Sequence, residues 1–277
     1  MHLSGRAPSG STRANAPVPR ALGMHLQQDP RLVDTPRPSW VAQLSPDGVL
    51  ERLEQLDSDA AIVAAVGAEP AVLGVDAPLA VPNAAGRRDL ETVLSWLDVP
   101  VFPVSRRRAQ QVFGGVRGKG LAPALRGAGI DVVEAVPDQV LRQLMWEARP
   151  TPEAPVNLAD YRAAWLGLRP PAYRPKGAGR ARPGGLPAVH ALLAGAVDWA
   201  GWAPATDPDD WRAIADAGVV DAVACAVAVW RWIHRPERAV RLGTPERGEA
   251  LLAADGNLIE RLEVNLTRLR AEGAVQI

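Results

Sequence analysis

Short apolar runs set off by turn-forming residues dominate the first half of the chain, and helical spacing dominates the second. Trp40 to Leu44 alternates, with Trp40, Ala42 and Leu44 on one face, which predicts a half-buried strand. Ser45-Pro46-Asp47-Gly48 follows with Pro at the second position of a type I turn and Gly where positive φ is wanted. Val49 to Leu56 fits two templates. Val49, Leu50, Leu53 and Leu56 have helical spacing, yet the turn before them asks for a returning strand. Ser58 or Asp59 is placed to cap a helix ending near Gly67. Ala71-Val-Leu-Gly-Val75 is apolar throughout, as buried strands of parallel or mixed sheets are, and it runs straight into Asp76. Asp131 to Val136 is a second such run, carrying Glu134. Helices are expected over Asp89–Leu97, in stretches of 106–126 broken by Gly114, Gly115, Gly118 and Gly120, and after a cap at Asp138. Further helices are expected near Leu158–Leu166 and over 186–200, 209–217 and 219–234. Arg238–Leu242 reads as an edge strand and the charged tail from Leu258 as a helix. Strands interleaved with helices define an α/β protein.

Residues 1–30 read as a disordered leader. The first acid is Asp29, Pro8, Pro17 and Pro19 oppose a helix, and there is no apolar core for a secretory signal. Met24 therefore competes with Met1 as the natural start. Residues 31–277 then form one domain, interrupted at about 148–185 by a Pro/Gly/Arg-rich insertion that carries Arg169, Arg174, Lys176, Arg180 and Arg182.

The 277 residues carry no net charge, with 31 basic and 31 acidic side chains. That balance argues against attachment to nucleic acid by bulk charge. Lys119 and Lys176 are the only lysines, so arginine clusters partly reflect coding bias. The single Cys225 excludes an internal disulfide and a cysteine-rich zinc site, and reads as a buried thiol in a reducing, cytoplasmic compartment. No apolar run reaches the roughly 20 residues of a membrane span, and Asp198 and Asp221 interrupt the most apolar helices. His190 and His234 lack ligand partners at zinc spacing, and the tryptophans read as packing residues.

Three acids stand where chemistry is commonly placed. Asp76 follows a strand directly, and ligands of open α/β sheets bind beyond the carboxyl ends of strands. Glu134, flanked by valines, must face solvent, pair with a base or hold a cation. Asp221 opens the helix Ala222–Trp232, where the macrodipole alone would favour an acid. Taken singly, each has a purely structural explanation.

Together they resemble a family. Leu73-Gly-Val-Asp-Ala-Pro-Leu-Ala-Val-Pro82 with Gly86-Arg-Arg-Asp89, then Val132-Val-Glu-Ala-Val-Pro137, then Asp221-Ala-Val-Ala-Cys-Ala226 are similar, in order and spacing, to the RNase H-like predicted nucleases catalogued as domain-of-unknown-function family 429. Asp34-Thr-Pro-Arg-Pro-Ser-Trp40 resembles that family's opening acid, although its apolar first strand is reduced here to Leu32 and Val33, and Pro36 and Pro38 replace a Gly-rich turn. The resemblance implies an RNase H-like mixed sheet flanked by helices. It also implies a site in which Asp34, Asp76, Glu134 and Asp221 hold Mg²⁺ or Mn²⁺ for hydrolysis of a nucleic-acid phosphodiester. Asp34 would bridge the ions, Asp76 and Glu134 would each hold one side, and Asp221 would complete the site. Arg87, Arg88, Arg106, Arg107 and Lys119 would contact phosphates, or else form a solvated basic face. Two other classes compete: a non-catalytic RNase H-like binding module, and an actin-like phosphotransferase, which the missing Gly-rich turn opposes. The metal centre requires Asp76, Glu134 and Asp221 to converge within about 8 Å. Should Asp76 and Asp221 meet while an arginine locks Glu134 and Asp34 points away, the expectation moves to the binding module.

Overall fold

The structure is a computed structural model that describes residues 17–26, 39–67, 69–99, 101–149, 158–174, 184–207 and 212–276. In chain order the elements are β1 (Arg20–His25), β2 (Ser39–Leu44), β3 (Leu50–Leu56), α1 (Asp59–Val66), β4 (Ala71–Val75), α2 (Asp89–Trp96), α3 (Arg106–Phe113) and α4 (Arg117–Gly127). They continue with β5 (Asp131–Ala135), α5 (Pro137–Glu147), α6 (Leu158–Gly167), α7 (Gly185–Leu193), α8 (Arg212–His234), β6 (Ala239–Thr244), β7 (Gly248–Ala253) and α9 (Gly256–Ala271). The strands form one seven-stranded mixed sheet in the order β3-β2-β1-β4-β5-β7-β6. β1, β4, β5 and β7 run parallel, while β2, β3 and β6 are antiparallel to their neighbours.

Helices cover both faces. On one face α8 lies across the sheet, with Ala222, Val223, Ala226 and Val229 in the same buried cluster as Ala21, Val72, Val133 and Leu251. On the other face α1 and α4 pack on Leu22, Met24, Leu73, Val75 and Val132, and α2 and α9 pack on Val240, Leu242, Ala250 and Leu252. The close approach of α8 has a local cause. Gly23 and Gly74 are register partners on β1 and β4. A Cβ on Gly23 would fall on backbone atoms of Ala222 and Ala226, and one on Gly74 would lie 2.9 Å from a Val229 methyl. Two adjacent missing side chains thus form a trough into which α8 sinks.

Several expectations need correction. Residues 20–25, assigned to a mobile leader, form β1 in the middle of the sheet, with Leu22 and Met24 fully buried. Among the described residues this segment is the first strand; Leu32–Val33, where the sequence placed it, lies outside them, as do residues 1–16 and Asp34. Nearby prolines and missing acids mask a run with the same build as β4: Leu22-Gly-Met-His25 against Leu73-Gly-Val-Asp76. Val49–Leu56 resolves to a strand, as the turn required. Only Gly114, at φ 64°, and Gly115 end a helix; Gly118 and Gly120 lie inside α4, because burial of Gly118 against Pro78 outweighs propensity. The two late helices are one, so Asp221 lies inside α8 and not at its start, and the macrodipole does not explain it. Likewise Asp138 sits in the first turn of α5 and not at its cap, which is Val136. α8 has a segment, Ala215–His234, long and apolar enough to cross a membrane, but it is mostly buried against the sheet. Of the insertion expected at about 148–185, residues 158–167 form α6, and 150–157 and 175–183 lie outside the described residues.

Candidate functional site

Strand alternation decides which acids meet. Gly23 and Gly74 face α8, so His25 and Asp76, two residues further along each strand, face the same way at the carboxyl edge of the sheet. His25 Nδ1 lies 2.5 Å from Asp76 Oδ2, and the Leu26 amide donates to Asp76 Oδ1 at 2.8 Å. α8 brings Asp221 to the same spot, with Oδ2 3.7 Å from His25 Nδ1. One ligand atom from each of His25, Asp76 and Asp221 lies within 4.8 Å of the others, a group that could hold a metal ion.

Asp221 is almost fully buried, and its neighbours compensate for that. The Tyr173 hydroxyl donates to Oδ1, as does Arg174 Nη2 at 2.6 Å, and Arg174 Nε donates to Oδ2 at 3.0 Å. Arg174 Nη1 continues to Asp138 Oδ2 at 2.8 Å, tying the start of α5 to the site. Burial and the Asp221 carboxylate push the Tyr173 hydroxyl well above the ordinary phenol range, so it stays protonated and donates.

Glu134 points elsewhere. Its register partners are Val75 and Ala250, both on the face opposite α8, so it is one residue out of phase with Asp76. There Arg88 Nη1 and Nη2 donate to Glu134 Oε1 and Oε2 at 2.7 and 2.9 Å, and the Leu79 amide donates to Oε1 at 2.9 Å. Arg88 Nε also donates to Glu91 Oε1 at 2.8 Å. All three side chains are buried. Arg88 is thus not on the exposed basic face expected of it, whereas Arg87, Arg106, Arg107 and Lys119 are exposed.

Both charged groups border one cavity of about 360 Å³ at the carboxyl edge of the sheet. Its remaining wall is largely apolar, with Leu90, Leu94, Val101, Phe102, Phe113 and Val116. Three participants escaped sequence reading. His25 was hidden in the supposed leader, although the likeness of β1 to β4 would have exposed it. Tyr173 and Arg174 lie in the Pro/Gly/Arg-rich segment and carry no local signal of their role.

The His25 imidazole feels opposing effects. Burial lowers its pKa, but the charge and hydrogen bond of Asp76, with Asp221 behind, outweigh burial and push it up to about 9. At neutral pH it is a cation between two carboxylates. Because the folded value exceeds the unfolded one of about 6.5, the stabilisation is fully present below that unfolded value. It is lost as pH rises through about 9. The contribution is about 3 kcal/mol. Urea denaturation of wild type and His25→Gln in EDTA should give a stability gap that is wide at pH 6 and narrows by pH 10. A gap independent of pH would mean that His25 is not held as a cation.

The fold and this edge define a mixed-sheet α/β protein with a largely apolar pocket, bordered by two charged groups, beyond the carboxyl ends of its central parallel strands. A family model described as "Protein of unknown function (DUF429)" matches residues 33–247, and the chain belongs to that family. The match takes in Asp76, Glu134, Arg174 and Asp221, while His25 precedes it. No curated protein and no solved structure matches the chain.

Proposed function

We propose that this protein is an RNase H-like phosphodiesterase that acts on nucleic acid with one divalent cation rather than two. The observation that carries the reading is the convergence of His25, Asp76 and Asp221 at the cavity. A two-ion, four-carboxylate centre does not fit the described residues, because Glu134 is taken by Arg88 on the other face of the sheet. One ion does fit the donor set: an imidazole nitrogen and two carboxylates suit Mn²⁺ better than Mg²⁺, which prefers oxygen ligands throughout. Such an ion supplies Lewis-acid polarisation of a phosphoryl oxygen and a bound water of lowered pKa. The protein's own groups do the rest. The Leu26 amide fixes the Asp76 carboxylate, and Tyr173 and Arg174 fix Asp221. His25 would serve as a ligand through a neutral imidazole, with Nδ1 unprotonated.

A second reading, the non-catalytic RNase H-like module, is favoured by one feature. His25, Arg174, Asp76 and Asp221 already balance their charges without a metal. Calorimetric titration with Mn²⁺ and cleavage of single- and double-stranded DNA and RNA separate the two. Asp76→Asn should keep the fold and lose at least about a hundredfold in cleavage, as direct ligands exceed the 10–100-fold effects of outer partners. A wild-type protein that neither binds Mn²⁺ nor cleaves would leave the module reading. Equal cleavage by both proteins would place the activity elsewhere.

A further inference from the structure

Arg87, Arg106, Arg107 and Arg108 are exposed, and among the described residues none makes an ion pair. Several other arginines of the fold are paired, as Arg88 with Glu134, Arg117 with Asp59, Arg231 with Glu147 and Arg241 with Asp131. A chain with equal numbers of acids and bases has acids to spare for these four as well. Arg106 donates to the Pro82 carbonyl, but the unpaired charge of Arg87, Arg107 and Arg108, which share one groove, points to an external anion. Arg87, Arg107 and Arg108, with Ser105 and Gln111, line a groove of about 430 Å³ that has no carboxylate in its lining. The first amides of α3 are already used, by Asn83 and Ala84 carbonyls and by Ser105 Oγ, so recognition falls to side chains.

An aromatic ring stands beside this groove. Phe102 is 48% exposed. The Arg108 guanidinium lies 4.5 Å from its ring centroid, and Phe113 meets it edge-on at 6.4 Å. Phe102, Val104 and Ala109 line the cavity that holds His25, Asp76 and Asp221, while Pro103, Ser105 and Arg108 line the basic groove. One segment is therefore the wall between the two.

We propose that this face binds single-stranded nucleic acid, with a base stacked at Phe102 and the backbone phosphates on Arg87 and Arg107. Single strands are recognised by aromatic rings interleaved with cations, because their bases are free to leave the stack, whereas a duplex offers phosphates but no base face. The strand then runs along the wall toward the cavity. That last step rests on the phosphodiesterase reading; the binding itself does not.

The test is fluorescence anisotropy with a labelled oligodeoxythymidine and a duplex of equal length, in EDTA, at two salt concentrations. The single strand should bind more tightly than the duplex. Phe102→Ala should weaken it roughly tenfold and Phe102→Tyr should restore it, since stacking tolerates any ring. Arg87→Gln combined with Arg107→Gln should lower the salt dependence by about two phosphate contacts. The exposure of all these side chains makes misfolding of the variants an unimportant outcome, checked by an unchanged melting temperature. Equal affinity for duplex with no effect of Phe102→Ala, equal capture of polyglutamate, or no binding at all would each overturn the proposal. Binding that behaves as expected in a protein without Mn²⁺-dependent cleavage would retain this face and discard the phosphodiesterase.

Discussion

Arg88→Met should destabilise the protein by about 3–5 kcal/mol, the range for removing one partner of a buried ion pair. At roughly 2–4 °C per kcal/mol for a chain of this size class, the melting temperature falls by about 6–20 °C. The cause is not the loss of attraction as such. Arg88 serves two buried carboxylates at once, and its Nη1 also donates to the Ala80 carbonyl at 2.7 Å. Without it Glu134 keeps only the Leu79 amide, while Glu91 keeps the amides of residue 88 and Val104. The charge left on Glu134 is the larger cost. Two consequences separate this account from simple loss of packing. Adding Glu134→Gln should recover much of the stability, because the orphaned charge goes with it. The deficit of the single variant should also shrink on acidification. An orphaned buried carboxylate costs only while it is ionised, so the penalty falls away on protonation. Thermal melts at pH 4.5 and pH 8 read this directly. A deficit that is equal at both, and untouched by Glu134→Gln, would mean that Arg88 acts through its aliphatic stem.

The same pair explains why the candidate site was only partly legible in the sequence. Apolar runs carrying acids located β4 and β5 as core strands of one sheet, in which the two pair in parallel. What a run does not contain is its register. Asp76 lies one step beyond Val75, the partner of Glu134, and that single step turns the two acids to opposite faces of the sheet. Asp221 reached the site for a reason different from the one its context suggested, since it is carried in by the interior of α8. The histidine was obscured by its neighbourhood. Prolines upstream and missing acids set the reading of the first 30 residues, but local composition has no force against a central strand whose stability comes from partners on both sides. Tyr173 and Arg174 show the opposite limit: a Pro/Gly-rich segment reads as loop, and nothing in a loop announces which side chain will reach a buried carboxylate some 47 residues away. Of the fold, the α/β class, the core strands and the flanking helices were readable; β1, β7 and the unity of α8 were not.

Gly23→Ala should cost about 3 kcal/mol or more, at or beyond the upper end for overpacked cores. Gly23 does not need glycine for its dihedral angles. It needs glycine because α8 occupies the space of a side chain, and what stands there is the backbone of Ala222 and Ala226. Backbone in the middle of a buried helix has no rotamer through which to yield. Gly74 is a useful contrast on the neighbouring strand. Its added methyl meets a Val229 methyl at 2.9 Å and the Cys225 carbonyl at 3.1 Å, so most of the conflict is with a side chain. Gly74→Ala should therefore be milder and should be relieved by Val229→Ala. Gly23→Ala should gain nothing from Ala226→Gly, which removes a methyl but leaves the obstructing backbone and adds about 1 kcal/mol of helix cost. The functional readout is coupled to the same displacement. If α8 is lifted from β1, Asp221 withdraws from His25 and Asp76, and Mn²⁺ affinity should fall even at temperatures where the variant is still folded. Chemical denaturation and Mn²⁺ titration on the four variants, with the double pairs included, give the comparison. Rescue of Gly23→Ala by Ala226→Gly, or unchanged ion binding in a folded Gly23→Ala protein, would show that the trough between β1 and β4 is not what sets the position of Asp221.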